Sequence, residues 1–320
     1  MGESRMKHLF IINPAAGQKD RTEEFTAAIR QHCRGLDYEI AVSQKPGDCT
    51  TLARKAAQTG EETRIYACGG DGTLNEVVNG VAGYPNVSVT HYCGGSGNDF
   101  VRMFSDPEAF RDLSKLLDCE EAEFDLIQCG EHYSLNICSI GLDARIGIAM
   151  SKYKRLPLVS GSGAYILSLL VNLVRGLHEH YRITIGDEVF DSRFTLVCIA
   201  NGRWYGGGFH PVPGAELNDG LLDILLVDKV NLLQVAAVIG KYKAGRYQEL
   251  PQLVQFRRAS SVTVACDKLT PINLDGEALF KQESTFTVAP HKIRFCYPKG
   301  LLWRAKDLEE LEKTGASGSK

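Results

Sequence analysis

Short apolar runs alternate with stretches of helical periodicity along the chain as far as residue 129. Apolar runs bounded by turn residues are typical of buried strands, and apolar residues three or four positions apart indicate one face of a helix. Strands are predicted at 9–12, 38–43, 64–68, 87–93 and 124–129. Helices are predicted at 21–33, at 48–58 with Asp48 as its cap, from 73 onward and around 108–117. This alternation predicts a parallel sheet covered on both faces.

After residue 129 the pattern changes to shorter apolar runs separated by Gly, Asp and Asn turns. Strands are predicted at 132–140, 182–185, 189–190, 194–201, 221–227, 261–265, 271–274 and 285–288, with one helix at 230–247. Many short strands favour an antiparallel sandwich or barrel. We therefore expect an N-terminal α/β domain over 1–129 and a C-terminal antiparallel β-sandwich domain over 130–289. Residues 290–320 are the candidate for packing back on the first domain.

An uncharged segment, 156–174, approaches the length needed to span a membrane. Pro157 and the Ser-Gly run at 160–163 interrupt it. The remaining helical part, 164–174, would rise only about 16 Å, which is too short to span. We expect a buried or lipid-facing helix there.

The composition is that of an ordinary globular protein, with 320 residues, 44% hydrophobic and 23% charged. The formal charge of −3 argues against a general nucleic-acid binder, which would normally be basic. Ten cysteines are scattered without a C-x-x-C motif or a Cys/His cluster. This usage favours reduced thiols in a cytoplasmic protein over a disulfide framework or a zinc site.

The most informative stretch is Gly69-Gly70-Asp71-Gly72-Thr73, between a predicted strand and a predicted helix. Glycines leave backbone N–H groups unobstructed, and a helix N-terminus attracts anions, so the stretch can cradle phosphates. A carboxylate beside phosphates is repulsive unless a cation lies between them, and Asp71 therefore suggests Mg²⁺. The alternative is a tight turn in which Asp71 hydrogen-bonds its own backbone.

Small or polar residues follow four of the predicted strands, at Asn13, Ser43, 69–75 and 96–99. The carboxyl ends of parallel strands meet at one edge of a sheet, where ligands bind in such folds. A shared binding edge explains small or polar residues after four strands better than the residue preferences of tight turns do.

The sequence of 69–73 with Asn75-Glu76 resembles the nucleotide motif of the diacylglycerol kinase catalytic domain family, whose core is shared with NAD kinases and phosphofructokinases. Residues 95–100 resemble the family's G-T-x-N-D-F loop, with Ser96 keeping a hydroxyl in place of Thr. A helix cap formed by Asn98 or Asp99 is the alternative. The resemblance implies an NAD kinase/phosphofructokinase-like N-terminal domain that binds ATP. The implied nucleotide-binding residues are Ser43, Gly69, Gly70, Asp71, Gly72, Thr73, Leu74, Asn75, Ser96, Asn98 and Asp99.

Two later stretches extend the resemblance. Residues 216–223 are similar to the family's D-D-G-x-x-D stretch, which implies a structural Mg²⁺ held by Glu216, Asp219 and Leu221. The alternative is an Asp-Gly turn that enters the next strand. Asn273-Leu274-Asp275-Gly276-Glu277 matches the family's D-G-E. The resemblance implies catalytic carboxylates there, with Glu277 as the base and Asp275 and Asp71 organising metal and water. The alternative is a hairpin turn with two solvated acids.

These motifs predict an ATP- and Mg²⁺-dependent kinase of a lipid hydroxyl, most directly one that converts diacylglycerol to phosphatidic acid. The alternatives are a kinase of a soluble substrate, such as an NAD kinase, and a non-catalytic nucleotide or lipid sensor. The chain has neither a Walker lysine nor a protein-kinase catalytic loop, so Mg²⁺ and cations such as Arg102 would offset the phosphate charge. The expected partners are the nucleotide and a lipid at a membrane surface; a homodimer is left open.

Overall fold

The computed structural model describes residues 6–142, 144–146 and 177–313. The chain forms two compact units. Unit 1 comprises the described residues of Met1–Leu126, Glu216–Asn218 and Ala289–Lys320, and unit 2 those of Ile127–Ala215 and Asp219–Val288. Unit 1 is therefore discontinuous along the chain.

The strands are β1 Lys7–Ile12, β2 Asp37–Val42, β3 Thr63–Gly69, β4 Val87–Cys93, β5 Cys119–Phe124, β6 Ile127–Cys129, β7 His132–Ser134, β8 Ile137–Gly141, β9 Glu179–Ile185, β10 Glu188–Ala200, β11 Leu222–Asp228, β12 Val254–Ala259, β13 Ser261–Leu274, β14 Glu277–Val288 and β15 Ile293–Pro298. The α-helices are α1 Thr22–His32, α2 Asp48–Gln58, α3 Asp71–Val81, α4 Leu113–Leu117, α5 Leu232–Lys243 and α6 Ala305–Lys313. Short 3₁₀ turns lie at Phe100–Met103, Pro107–Arg111 and Tyr247–Glu249.

The sheet of unit 1 has the order β2-β1-β3-β4-β15-β5. All its pairings are parallel except that of β15 with β5. Every residue of β4 is buried, as expected of a parallel strand covered on both faces. Because β1, β3 and β4 run in the same direction, the loops that follow them meet at one edge.

Unit 2 is antiparallel throughout, with the order β12-β11-β10-β8-β13-β14-β6-β7 and β9 paired to both β10 and β13. The long strands β10 and β13 each change register midway, near Phe194 and after Ala265. Each pairs with β9 along its first half and with β8 along its second half. Two separate apolar clusters fill the unit, one around Phe286 and one around Val212. The predicted fold class, an α/β domain followed by an antiparallel β-sandwich-like domain, is confirmed.

Several predicted strand boundaries are wrong. The strand predicted at 124–129 is two strands, β5 in unit 1 and β6 in unit 2. Between them the buried Asp125 donates its N–H to the Leu217 carbonyl at 2.6 Å and pairs with Lys292 at 2.9 Å, so the backbone leaves the sheet. The strand predicted at 132–140 breaks before β8, whereas the runs within β10 and within β13 join into single strands.

The predicted cap of α2 also needs correction. Asp48 is the first helical residue, and the cap is Gly47, in the left-handed region at φ +84°. Asp48 Oδ2 accepts the N–H groups of Gln44 and Lys45 in the preceding loop. The helix predicted at 164–174 lies outside the described residues. None of the helices that are described has the length and apolar character needed to cross a bilayer.

Candidate active site

The loop after β3 is tied to the end of β1. A Cβ on Gly69 would lie 2.2 Å from Thr73 Oγ1, so only glycine leaves room for Thr73. Thr73 Oγ1 in turn accepts a hydrogen bond from Asn13 Nδ2 at 3.0 Å. Asn13 lies directly after β1, and Thr73 lies in the first turn of α3. They are in contact, as predicted for residues that follow parallel strands.

The Gly69 carbonyl connects the loop after β3 to the loop after β4. It accepts the N–H groups of Gly94 at 2.7 Å and Gly95 at 3.1 Å. His91 Nε2 lies 3.0 Å from the same oxygen, and a carbonyl only accepts, so Nε2 carries the proton. Burial lowers the pKa of His91 to about 4, so the imidazole is neutral. The motif search missed His91 because it lies inside an otherwise apolar strand.

The two glycine loops touch through their backbones. A Cβ on Gly95 would lie 2.5 Å from Gly70 Cα, and one on Gly70 would lie 3.3 Å from Gly95 Cα. The contact at Gly95 leaves no room for any side chain there. The glycines of both motifs are therefore explained in part by the meeting of the loops.

Asp71 lies where these loops meet. It is half-buried, and its Oδ1 accepts the N–H of Phe100 at 3.3 Å. Burial raises the pKa of the Asp71 carboxyl, and backbone hydrogen bonds oppose that rise. A Cβ on Gly97 would lie 2.8 Å from Asp71 Oδ2. The carboxylate thus fixes the 95–100 loop to the start of α3, and its role toward a metal stays a prediction.

Ser43 and the remaining residues of the first motif are buried or hydrogen-bonded within unit 1. Ser43 is buried, with its N–H donated to Ile12 O at 2.9 Å. Asn75 Oδ1 accepts Asn79 Nδ2, and Leu74 is buried on α3. Glu76 Oε2 accepts the N–H of Cys49 at the start of α2, so this motif residue joins α3 to α2.

In the second loop, Asn98 has a positive φ of 49° and donates its Nδ2 to Gly95 O at 3.0 Å. Its Oδ1 is buried and has no hydrogen-bond partner among the described residues. Asp99 precedes the 3₁₀ turn but does not cap it; it pairs with Arg102 at 3.3 Å. Ser96 is exposed. The predicted loop therefore combines one exposed hydroxyl with a buried amide oxygen.

Gly72 tests whether the loop suits a phosphate. A Cβ there would meet no atom within 4 Å, and its φ is not positive, so nothing in the described fold requires glycine at this position. It lies exposed in the first turn of an 11-residue helix, where N–H groups have no helical acceptor. Open space over such N–H groups is what a bound phosphate needs. The residues present fit a nucleotide phosphate.

In unit 2, Asp275 anchors the hairpin between β13 and β14. Its φ is +48°, and its carboxylate accepts the N–H groups of Leu135 at 2.7 Å, Asn136 at 3.2 Å and Ile137 at 2.9 Å. Burial raises the pKa of Asp275 to about 6, against the lowering effect of these donors. Glu277, two residues on, is exposed at the start of β14. The hairpin thus separates a half-buried anchor from an exposed carboxylate.

Asn136 and Gly202 support this anchor, and motif reasoning missed both. The Asn136 carbonyl accepts the N–H groups of Asn201 at 2.9 Å and Gly202 at 2.8 Å. A Cβ on Gly202 would lie 1.9 Å from Asn136 Oδ1. The polar Asn136 inside the apolar run 132–140 was the signal that could have revealed the break.

The two acidic side chains predicted for the structural cation already have partners. Glu216 Oε1 accepts the N–H of Ala305 at 2.9 Å within unit 1. In unit 2, Asp219 Oδ1 accepts the N–H of Leu221 at 3.0 Å, and Oδ2 pairs with Arg258, which also holds Asp223 at 2.8 Å. Across the described ranges, no three His, Cys, Asp or Glu side chains form a metal-binding group. These residues do not form a ready cation site, and the structural Mg²⁺ stays a prediction.

Two family profiles match the chain in order. The profile described as "Diacylglycerol kinase catalytic domain" matches residues 7–129. The profile described as "YegS C-terminal NAD kinase beta sandwich-like domain" matches residues 136–297, which is more than half of the chain.

Individual relatives match over almost the whole chain. A diacylglycerol kinase of Staphylococcus carnosus is 26% identical over 298 residues, covering 92% of this chain and 96% of that protein. A protein of Chromohalobacter salexigens named "Probable lipid kinase YegS-like" is 28% identical over 299 residues, covering 91% and 93%. A solved structure of a diacylglycerol kinase from Bacillus anthracis matches with a TM-score of 0.66 and 21% identity, covering 92% and 98%. At that identity the structural match shows the shared fold.

Proposed function

Because the chain belongs to the diacylglycerol kinase catalytic domain family of lipid kinases, we propose that it transfers the γ-phosphate of ATP to a lipid hydroxyl, with diacylglycerol as the acceptor and phosphatidic acid as the product. The observation that carries the proposal is the open backbone of Gly72, held at the meeting point of two glycine loops. Unit 2 adds an exposed Glu277 on a hairpin whose turn is anchored by Asp275.

The nucleotide side of the reaction relies on backbone donors. The free N–H groups at the start of α3 would bind phosphate oxygens, and the contacts among Gly69, Gly70 and Gly95 would hold those donors in place before ATP arrives. Arg102 donates its Nη2 to the Gly97 carbonyl of the second loop at 3.4 Å and is paired with Asp99. The remaining phosphate charge would be offset by Mg²⁺ that enters with ATP as part of the substrate.

The acceptor side needs a base. A lipid hydroxyl loses its proton as its oxygen attacks the γ-phosphorus, and ADP leaves. Glu277 is the proposed base because its carboxylate is exposed, whereas the Asp275 oxygens are taken up by three backbone N–H groups. Asp275 is then a positioning residue that holds the Glu277 hairpin.

A soluble acceptor is the second candidate. The profile that matches unit 2 carries NAD kinase in its description, so NAD belongs among the acceptors to be tested. Under that reading the same loops bind ATP and only the acceptor differs.

The test is transfer of labelled phosphate from ATP, with Mg²⁺, to diacylglycerol, monoacylglycerol, sphingosine and phosphatidylglycerol in mixed micelles and to NAD in solution. We expect label in phosphatidic acid. Glu277→Gln should lower kcat by about 10²-fold or more, since a positioned base contributes that much. Glu283→Gln, an exposed acid on the same strand, is the matched control and should keep full activity.

Other outcomes separate the alternatives. Label in NAD alone would overturn the lipid assignment. Tight ATP binding with no label in any acceptor, together with unchanged ATP binding in Glu277→Gln, would favour a sensor.

A further inference from the structure

Two cysteines of unit 1 lie side by side at the sheet edge. Cys119 begins the edge strand β5, and Cys296 lies in the middle of its antiparallel partner β15. The register sets Cys119 opposite Pro298 and Cys296 opposite Glu121, so both thiols point to one face as diagonal neighbours. Cys119 is half-buried and Cys296 is buried.

The surroundings of the pair distinguish the two thiols. Arg64, whose guanidinium lies near both thiols, pairs with Glu121 Oε1 at 3.3 Å, and Cys296 Sγ lies 3.4 Å from the same oxygen. The adjacent Cys296 side chain and the Arg64 charge lower the pKa of Cys119. Partial burial and the carboxylates of Glu121 and Asp118 oppose that lowering. The adjacent Cys119 side chain, together with burial, raises the pKa of Cys296. Cys119 is therefore the candidate nucleophile, and Cys296 is the neighbouring thiol that could form a disulfide with it.

Cys266 offers a comparison within the chain. Only Cys119 and Cys266 among the ten cysteines are half-buried, and the other eight are buried. Burial raises the pKa of Cys266, in contrast to Cys119. Exposure alone therefore predicts similar reactivity for these two thiols, whereas local charge predicts a difference.

We propose that Cys119 and Cys296 form a peroxide-sensitive dithiol that closes to an intramolecular disulfide. The Cys119 thiolate attacks one oxygen of hydrogen peroxide, the O–O bond breaks, and the leaving hydroxide takes up a proton to give water. The Cys296 sulfur then attacks the Cys119 sulfenic acid, forming the S–S bond and releasing a second water. Two thiols are oxidised by two electrons, and one peroxide is reduced to two waters; a dithiol reductant reverses the reaction.

The bond would close a long loop of the chain. Residues between Cys119 and Cys296 include all of unit 2 and the return to unit 1 at Ala289. Cross-linking distant residues restricts the unfolded chain, and the effect grows with loop length. The oxidised protein should therefore unfold at a higher temperature, by roughly 5 °C or more, and dithiothreitol should restore the lower value.

The first test compares alkylation rates. With iodoacetamide at neutral pH, Cys119 should react at least about 10-fold faster than Cys266, as expected of a thiol whose pKa is lowered. Rates measured by mass spectrometry of tryptic peptides resolve the two sites in one sample. Equal rates would overturn the proposed activation of Cys119.

The second test maps the oxidised product. After hydrogen peroxide, non-reducing tryptic digestion should give residues 116–145 joined to 295–299, lighter by two hydrogens and split by dithiothreitol. Cys119→Ser should abolish this product, and Cys266→Ser, the control, should leave it unchanged. Cys296→Ser should stop the reaction at a Cys119 sulfenic acid that a 1,3-diketone captures. Sulfinic acid at Cys119 without the cross-link, or a cross-link that survives in Cys119→Ser, would overturn the proposal.

Discussion

At the residue scale, His91 determines how the two glycine loops are joined. Its ring is fully buried, and its Nε2–H donates to the Gly69 carbonyl that also holds the Gly94 and Gly95 N–H groups. A protonated ring would place a second N–H and a full charge in the same buried space. The loop junction therefore depends on a neutral histidine.

This dependence predicts a loss of stability in acid. The folded pKa of His91, about 4, lies below the unfolded value near 6.5, so its contribution is complete above pH 6.5 and is lost as pH falls toward 4. Between pH 7 and pH 4.5 the loss should be about 2–3 kcal/mol. Urea unfolding of the wild type and of His91→Gln, which keeps a side-chain N–H donor, measures it. His8 and His210 shift in the same direction but are present in both proteins. Equal pH dependence in the two proteins would contradict the prediction.

Asp275 allows a second prediction. Asp275→Asn replaces one carboxylate oxygen by an N–H₂ group that faces backbone donors, so the free energy of unfolding at pH 7.5 should fall by about 2–3 kcal/mol. Glu277→Gln, on the exposed side of the same hairpin, should stay within about 0.5 kcal/mol of wild type. Urea unfolding of both variants separates anchoring from catalysis. An Asp275→Asn protein that is fully stable but inactive would instead make Asp275 a catalytic residue.

At the element scale, the first motif was predictable because its signals are local. The strand at 64–68 and the helix from 73 correspond to β3 and α3, since a buried run, a glycine turn and helical spacing are all contained in consecutive residues. The contact between Gly70 and Gly95 was not predictable, because it depends on β3 lying beside β4. The anchoring of Asp275 by residues 135–137 likewise joins positions far apart in the chain.

Two helical glycines test the phosphate cradle. Gly72 in α3 and Gly240 in α5 both have open space for a Cβ and no positive φ. Either change to alanine should stabilise the fold by about 0.5–1 kcal/mol, because alanine loses less backbone entropy in a helix. Only Gly72→Ala should raise the KM for ATP, by about 10-fold or more, because its methyl fills the space assigned to phosphate. Unchanged KM in Gly72→Ala would remove this helix start from the nucleotide site.

The turn before β11 tests the predicted cation. Arg258 already offsets both Asp219 and Asp223, so EDTA should shift the unfolding temperature of the wild type by about 1 °C or less. In Arg258→Gln the two carboxylates lose their cation, and Mg²⁺ should then raise the unfolding temperature by several degrees. A large EDTA effect in the wild type that is absent in Asp219→Asn would instead establish a structural cation at the predicted position.

At the scale of the whole molecule, the unit that carries the glycine loops includes residues that follow unit 2 in the sequence. β15 lies between β4 and β5, parallel to the first and antiparallel to the second. Its Phe295 ring packs against Phe100 at 5.0 Å and Phe124 at 5.7 Å between centroids. The sequence predicts that 290–320 could pack back on the first domain. No pattern of neighbouring residues indicates that a strand from this segment inserts between two strands of the sheet.

This arrangement predicts that fragments will not follow the motif boundaries. A fragment of residues 1–129 spans the first matched profile but lacks β15, so β4 and β5 would each lose a neighbour and expose apolar surface. It should show no cooperative thermal unfolding by circular dichroism. A fragment of 127–288, which holds every strand of unit 2, should unfold cooperatively.

The decisive control joins residues 1–126 directly to 289–313 through a short glycine-serine linker. That fragment regains β15, and it should recover cooperative unfolding and bind an ATP analogue, because both glycine loops and the whole sheet are present. If 1–129 alone unfolds as cooperatively as the linked fragment, β15 is dispensable and the sheet edge at β4 is stable by itself. If only the linked fragment folds, the nucleotide loops require β15, and ATP binding must await synthesis of this strand, which follows unit 2 in the sequence.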